Sequence, residues 1–529
     1  MLFTSYEFIG FILIVFFLYY LIPSKFQWKL LLICSYIFYF LANPVYLIYI
    51  LTTTTTVYLV GVKIEYFREE QSNHLKLHKE ELSKEAKKEY KAKIKKKQWK
   101  VLLIALFINL GILAVVKYTN FAISNINVLI DLADGKPLNF IDIALPMGIS
   151  FYTFQALGYI IDVYRGTAKA EKNIFKFALF LSFFPQLVQG PISRFNDLAE
   201  TLYNEHKFDA KVVSYGCQRI LWGFFKKLVI ADRILVAVNT IVKETDTYLG
   251  AYVFVGMIFY AIELYADFTG GIDITIGIAE TLGIKLTENF NRPFFSKSIK
   301  EYWRRWHITM GSWFTDYIFY PISVCKPMLK LSKFSREHFG DIIGKRIPIY
   351  LSSFAVWLAT GVWHGASWNF IVWGLGNWII IMISQELEPL YKKFHNKFHL
   401  EEVFLYKLFQ VARTILLMSC LRTFDCYRNV PLTFKMFGTM FTENNWNILF
   451  NGSLLQLGLN VVDYIILILG VCLLIIVSLV QRKYKVRDKI AMKPYPVRFA
   501  IWYGLFLIVL LAGAYGVGYD ASQFIYNQF

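Results

Sequence analysis

Several catalytic signatures are missing from this sequence. It has no HExxH, no GxSxG, no P-loop and no GxGxxG following a strand pattern. The common zinc-protease, serine-hydrolase and nucleotide-binding chemistries are therefore excluded. The six cysteines, Cys34, Cys217, Cys325, Cys420, Cys426 and Cys472, form no CxxC pair. A zinc ribbon is excluded, and buried free thiols are expected. Charge is also scarce, at 18% of residues, against about 25% in a soluble globular chain. What remains is apolar: 56% hydrophobic and 18% aromatic over 529 residues. Mean hydropathy is +0.44. This composition implies a polytopic membrane protein of helical-bundle, all-α class. The net charge of +18 would point to nucleic acid in a soluble protein. No nucleic-acid-binding module is visible, so the charge is assigned to basic cytoplasmic loops.

A spanning helix needs about 20 apolar residues. Candidate runs lie near 7–22, 28–43, 44–62, 101–118, 143–163, 174–189, 212–242, 250–268, 270–284, 347–363, 366–385, 404–421, 461–481 and 497–518. The first run has no basic n-region and no small-residue cleavage pattern, so it reads as a retained span rather than a signal peptide. Residues 74–100 (HLKLHKEELSKEAKKEYKAKIKKKQWK) are dense in Lys and Glu at i,i+4 spacing, which suits a solvated helix at the membrane surface. The positive-inside rule makes this segment cytoplasmic. The short linker 23–29 and the basic linker 481–498 then fall on the same side, and both termini are expected outside. Residues 291–322 are aromatic and basic together, the pattern of a re-entrant or interfacial segment buried within protein. No internal repeat is visible, which weighs mildly against a transporter.

Ionisable residues in apolar context mark functional candidates. His364 sits in GVWHGASWNF and His307 in YWRRWHITM. His364 is either a core histidine bonded to a neighbouring helix or a general base, since a neutral imidazole can take a proton from a hydroxyl. Gly361 and Gly365 beside it serve helix packing or leave room for a substrate. Arg304 and Arg305 precede His307, where they either anchor an interface or hold an anionic group. Further polar groups in apolar surroundings are Gln155, Asp162, Gln186, Gln189, Arg194, Glu263, Asp267 and Asp273. Glu263 and Asp267 share a helix face. They form an acid pair, a cation site or, in the plainer reading, structural pairs with Arg or Lys.

In order along the chain stand ALPMGISFYTFQALGYIIDVYRG, FFPQLVQGPISRF, DFTGGIDITIGIAETLGIKLTENFNRPF, EYWRRWHITMGSWFTDYIFYPI and GVWHGASWNFIVWG. Together they resemble the membrane-bound O-acyltransferase (MBOAT) family, and within it the alginate O-acetyltransferase branch. The resemblance covers roughly residues 1–425. It implies an MBOAT-type membrane bundle with re-entrant segments and a central tunnel, with a catalytic core at 1–425 and additional transmembrane helices at 426–529. It places the family's WHG histidine on His364 and the second histidine of the branch on His307. The donor it implies is acetyl-CoA or another acyl thioester on the cytoplasmic side, with no bound cofactor and no metal. The acceptor it implies is an exported or cell-surface polysaccharide, reached through an extracytoplasmic SGNH-type partner at a bacterial plasma membrane. Trp306, Arg304, Arg305, Trp363, Asn369, Gln155, Gln189 and Arg194 are the expected substrate-binding residues. One departure stands out: relatives often carry WGxxHG after this segment, and this chain has WGLGNW, with Asn377.

Other functions compete with acetyl transfer. One is transfer of D-alanyl or another acyl group from a carrier protein to a cell-wall polymer. Another is a transporter using Glu263, Asp267 and Arg194 as a relay. A third is a scaffold that only recruits a secreted enzyme.

Overall fold

The computed structural model describes residues 5–515. Every regular element among them is helical. Among the described residues, seven helices are long and apolar enough to cross a membrane, or up to eight if one bent pair counts as a single span. That is fewer than the apolar runs in the sequence, because several of those runs fold as short or broken helices. The chain divides into two compact units.

Among the described residues, the first unit holds 5–213 together with 279–287. It contains α1 (Tyr6–Leu21), α2 (Gln27–Ala42), α3 (Tyr46–Leu77), α4 (Lys84–Asp131), α5 (Ile149–Arg165), α6 (Ile174–Ser182), α7 (Phe184–Gln189) and α8 (Phe195–Leu202). Residues 74–100 do not form one surface helix. The end of α3 and the start of α4 share them, and Ser83 caps α4 through its hydroxyl. The threonine run at 52–56 is accommodated in α3 because hydroxyls bond back one turn. Thr52, Thr54 and Thr56 donate to the carbonyls of Ile48, Ile50 and Thr52, each at 2.7 Å. A polar side chain satisfied by its own helix can face an apolar environment. Asn109 of α4 then donates to Thr56 at 3.2 Å and ties the two helices together.

The second unit holds residues 214–278 and everything described from 288 onward. α9 (Ala210–Phe224) leads into a π-helical segment, Phe225–Ala231, and then α10 (Asp232–Lys243) and α11 (Ala251–Thr281). The expected break between spans 250–268 and 270–284 does not occur, because α11 is continuous through Gly270 and Gly271. Gly270 and Gly277 are contact points: a Cβ on Gly277 would lie 2.8 Å from the Gly216 carbonyl, and one on Gly223 would lie 2.6 Å from that of Gly270. Small residues at this spacing let two helix backbones touch.

Short helices follow: α12 (Ile299–Arg305), α13 (Ile308–Phe314) and α14 (Tyr320–Ser323). The aromatic, basic segment 291–322 is thus broken into pieces too short to span. α15 (Lys326–His364) is kinked at Gly340, whose φ is 77°, and takes up the basic stretch from residue 326 onward ahead of His364. α16 (Trp368–Glu386) and α17 (Glu388–Phe398) are the bent pair, at 50°. α18 (Phe404–Tyr427), α19 (Val430–Thr442), α20 (Val461–Val480), α21 (Val486–Ala491) and α22 (Tyr495–Ala512) complete the unit.

The expected boundary at 425 falls inside α18. Residues of α20 and α22, among them Leu467, Leu505 and Val509, pack in one core with Phe225 and Ile230 of the π-helical segment. Val461, Val462, Ile465, Ile468 and Leu469 of α20 are exposed, an apolar face suited to lipid. All six cysteines are free; Cys34 is buried, but Cys217 and Cys472 are exposed. The expectation of general burial fails for those two, which lie on outward-facing positions of α9 and α20. Residues 516–518 of the expected last span lie outside the described residues.

Candidate active site

The site begins with two helices pressed together. A Cβ on Gly361 of α15 would stand 2.6 Å from the Phe370 carbonyl of α16, and one on Gly374 would stand 2.6 Å from the Trp357 carbonyl. Glycine at both positions is what allows this approach. Gly361 therefore serves helix packing, while a Cβ on Gly365 would run into the Phe370 ring at 2.2 Å. His364 is the last residue of α15 and is 6% exposed. Its ring lies between Trp363, Trp373 and Phe370, at centroid distances of 5.0, 4.7 and 6.4 Å.

His307 occupies the break between α12 and α13 and is fully buried. Its backbone is left-handed, φ 48° and ψ 53°, a conformation that costs energy outside glycine. The Asn289 loop holds it there. The Ile308 amide donates to the Asn289 carbonyl at 2.9 Å, and the Thr309 amide and hydroxyl both donate to Asn289 Oδ1, at 3.1 and 2.9 Å. Phe268 meets the imidazole edge-on at 5.1 Å, and Trp363 lies 6.0 Å away. Trp363 thus touches both histidines.

A third group joins them. Arg422 of α18 is 5% exposed. Its guanidinium carbon lies 5.7, 5.3 and 4.6 Å from the ring centroids of Trp303, Trp306 and Trp373. Asp425 faces it at 3.7 Å, one turn along the same helix. Arg422 is also the cation that acts electrostatically on His307. Trp303 Nε1 donates to Asn377 Oδ1 at 3.0 Å, and Asn377 Nδ2 donates to the Trp373 carbonyl at 2.8 Å. Asn377 therefore orients one wall of the cage.

Behind this cage lies a buried ion cluster. Lys227, on the π-helical segment, bridges Asp232 at 2.7 Å and Asp267 at 2.6 Å. Lys226 and Arg219 pair with Asp273 at 2.6 and 2.9 Å. Asp267 and Asp273 are therefore structural partners of cations, the plainer of the readings open from sequence. Successive side chains on a helix point in different directions, so the neighbours Lys226 and Lys227 serve different carboxylates. Among the described residues, no three His, Cys, Asp or Glu side chains converge as metal ligands.

Comparison with known proteins decides what this arrangement belongs to. The model of the membrane-bound O-acyltransferase family matches residues 169–426, a stretch that contains His307, His364 and Arg422. A probable alginate O-acetylase AlgI of Azotobacter vinelandii is 30% identical over 85% of this chain and 79% of its own length. The chain belongs to the membrane-bound O-acyltransferase family. A peptidoglycan O-acetyltransferase of Helicobacter pylori is 29% identical over 57% of this chain and 58% of that protein. A teichoic acid D-alanyltransferase of Bacillus subtilis is 28% identical over 47% of this chain and 61% of the relative. This MBOAT protein is thus a multi-pass membrane acyltransferase, and the transporter and scaffold readings lose their support.

The second unit gathers His307, His364, Trp306, Trp363 and Asn369 in its buried interior. Arg304 is exposed. Arg305 pairs with Glu301 at 2.5 Å. Neither joins the tryptophan cage beside the histidines, where the cation is Arg422. Gln155, Gln189 and Arg194 belong to the first unit. There Gln155 donates to the Phe180 carbonyl at 2.9 Å and accepts from Gln186 at 2.6 Å. Arg194 lies 3.8 Å from Asp162. Sequence reading missed Arg422 and Asp425, because the apolar run was closed at residue 421, one residue short. The available signal was a cation and a carboxylate three apart at the end of an apolar helix.

Proposed function

We propose that this MBOAT acyltransferase is an O-acetyltransferase that moves an acetyl group from an acyl thioester, acetyl-CoA or a related donor, to a hydroxyl on the way to an exported or cell-surface polysaccharide. The observation that carries the reading is the pair of buried imidazoles sharing Trp363 within the stretch the family model matches. The names of the alginate and peptidoglycan relatives support acetyl as the group and a glycan as the acceptor. Residues 1–425 carry the transfer chemistry in this reading, and 426–529 brace it.

His364 acts as the general base. As the acceptor hydroxyl loses its proton to the imidazole, its oxygen attacks the thioester carbonyl carbon. The carbonyl electron pair moves onto oxygen, and collapse of that intermediate breaks the carbon–sulfur bond. The proton then passes from His364 to the departing thiolate. No acyl-enzyme is needed, because thiolate is a good leaving group and orientation supplies much of the rate. His307, pinned in its strained backbone, supports the reacting groups from the far side of Trp363. The donor enters from the cytoplasm through a central tunnel, and both termini lie outside. An SGNH-type partner outside a bacterial plasma membrane completes delivery to the glycan. D-alanyl transfer is the second reading, supported by the likeness to the teichoic acid enzyme.

The test is ester-linked acetate released from surface polysaccharide in cells carrying wild type or His364→Ala at matched membrane levels. Loss of a general base lowers the rate by about 10²–10⁴, so acetate should vanish. Unchanged acetate would make His364 a core residue and end this reading.

A further inference from the structure

Three buried N–H donors without an acceptor lie on Trp373, whose ring packs against His364, on Arg422, which packs against that indole, and on Asn369, one turn before Trp373. Asn369, in the first turn of α16, is 1% exposed. Its Oδ1 accepts from the Ser367 hydroxyl at 2.5 Å. That bond fixes the amide's orientation and leaves Nδ2 as a donor, which finds no partner. Trp373 lies four residues on, on the same helix face, and is also 1% exposed. Its Nε1 is buried without an acceptor. Arg422 packs against the Trp373 ring, and its Nε is the third such donor. Asp425 meets the guanidinium through Nη1 at 3.7 Å, which does not use Nε.

Buried donors are nearly always paired. Three of one polarity around one indole, itself 4.7 Å from the His364 ring, are not a packing requirement. They fit an oxygen that arrives with a substrate and gains charge during the reaction.

We propose that Asn369 Nδ2, Trp373 Nε1 and Arg422 Nε receive the carbonyl oxygen of the acyl donor and hold the negative charge that forms on it. The proposal rests on the acyl-transfer reading above. When the acceptor oxygen attacks the carbonyl carbon, the C=O electron pair moves to oxygen, and the three N–H groups bond it. When the carbonyl re-forms, the carbon–sulfur bond breaks and these hydrogen bonds weaken again. A thioester carbonyl accepts weakly, whereas an oxyanion accepts strongly. The donors therefore act on the transition state more than on binding.

The experiment uses membrane vesicles holding full-length wild type, Trp373→Phe, Asn369→Leu or Arg422→Lys. Acetyl-CoA is the varied donor and surface polysaccharide the acceptor. Ester formation is expressed per folded protein, with thermal unfolding measured in parallel. Loss of one donor of this kind lowers kcat by about 10²–10³, and KM for acetyl-CoA should stay near that of wild type. A kcat within about threefold of wild type would overturn the assignment, as would a raised KM at unchanged kcat. A purely structural role would lower the unfolding midpoint and leave kcat per folded protein intact. If Arg422→Lys fails to accumulate, Asn369→Leu decides, since it leaves the ion pair alone. Activity that survives His364→Ala would sink the base reading instead. Activity that depends on His364 but not on the three donors would sink this inference alone.

Discussion

Replacing Gly361 with alanine should separate the helix that ends in His364 from the one that carries Trp373. The new Cβ would sit 2.6 Å from the Phe370 carbonyl oxygen and 3.2 Å from the Ile371 Cα, both backbone atoms of α16. The first distance is about 0.8 Å short of ordinary contact. No side-chain rotation relieves it, so α15 and α16 must part by a similar amount. His364 follows within one turn, and Gly374, beside Trp373, lies at the same crossing. Overpacking of this kind costs about 1–3 kcal/mol. A reacting group displaced by nearly 1 Å loses about 10²-fold in rate. Gly361→Ala should therefore lower both the unfolding midpoint and the ester-linked acetate formed per folded protein. Gly438→Ala is the control, because its Cβ meets nothing within 4 Å. Wild-type activity and an unchanged midpoint in Gly361→Ala would refute the claim that this close crossing positions His364.

Two further sets of substitutions test the surroundings of the site. Asn377→Leu removes the acceptor of the Trp303 indole N–H and should cost about 1–3 kcal/mol, read as a lower unfolding midpoint with reduced acetate; Asn377→His, which offers a ring nitrogen as acceptor, should recover most of both. Lys227→Met leaves Asp232 and Asp267 buried together without their shared cation and should destabilise by about 3–5 kcal/mol. Adding Asp267→Leu should restore part of that loss in a thermal unfolding assay, and no recovery would mean that the ion cluster is not what holds the segment.

Much of the membrane architecture could be read from the chain. Long apolar runs forecast the helices because a spanning backbone must satisfy its own hydrogen bonds. The failures share one cause. The apolar runs 250–268 and 270–284 look like two spans in one dimension, yet they form one helix whose Gly270 and Gly277 meet Gly223 and Gly216 of a facing helix. Arg304 and Arg305 look like His307's neighbours because they adjoin it in sequence. A short helix instead points Arg304 outward and pairs Arg305 with Glu301.

The sequence by itself determined that this is an apolar, helical membrane protein with imidazoles at His307 and His364, and it carried the family resemblance in its motifs. These properties reside in composition, periodicity and local order, which survive without a fold. Only the tertiary structure decided that Trp363 also reaches His307, that Arg422 packs over Trp303, Trp306 and Trp373, and that Asn377 orients Trp303. These are contacts between segments tens to more than a hundred residues apart. Which buried charge meets which partner depends on helix packing, and no local pattern encodes that.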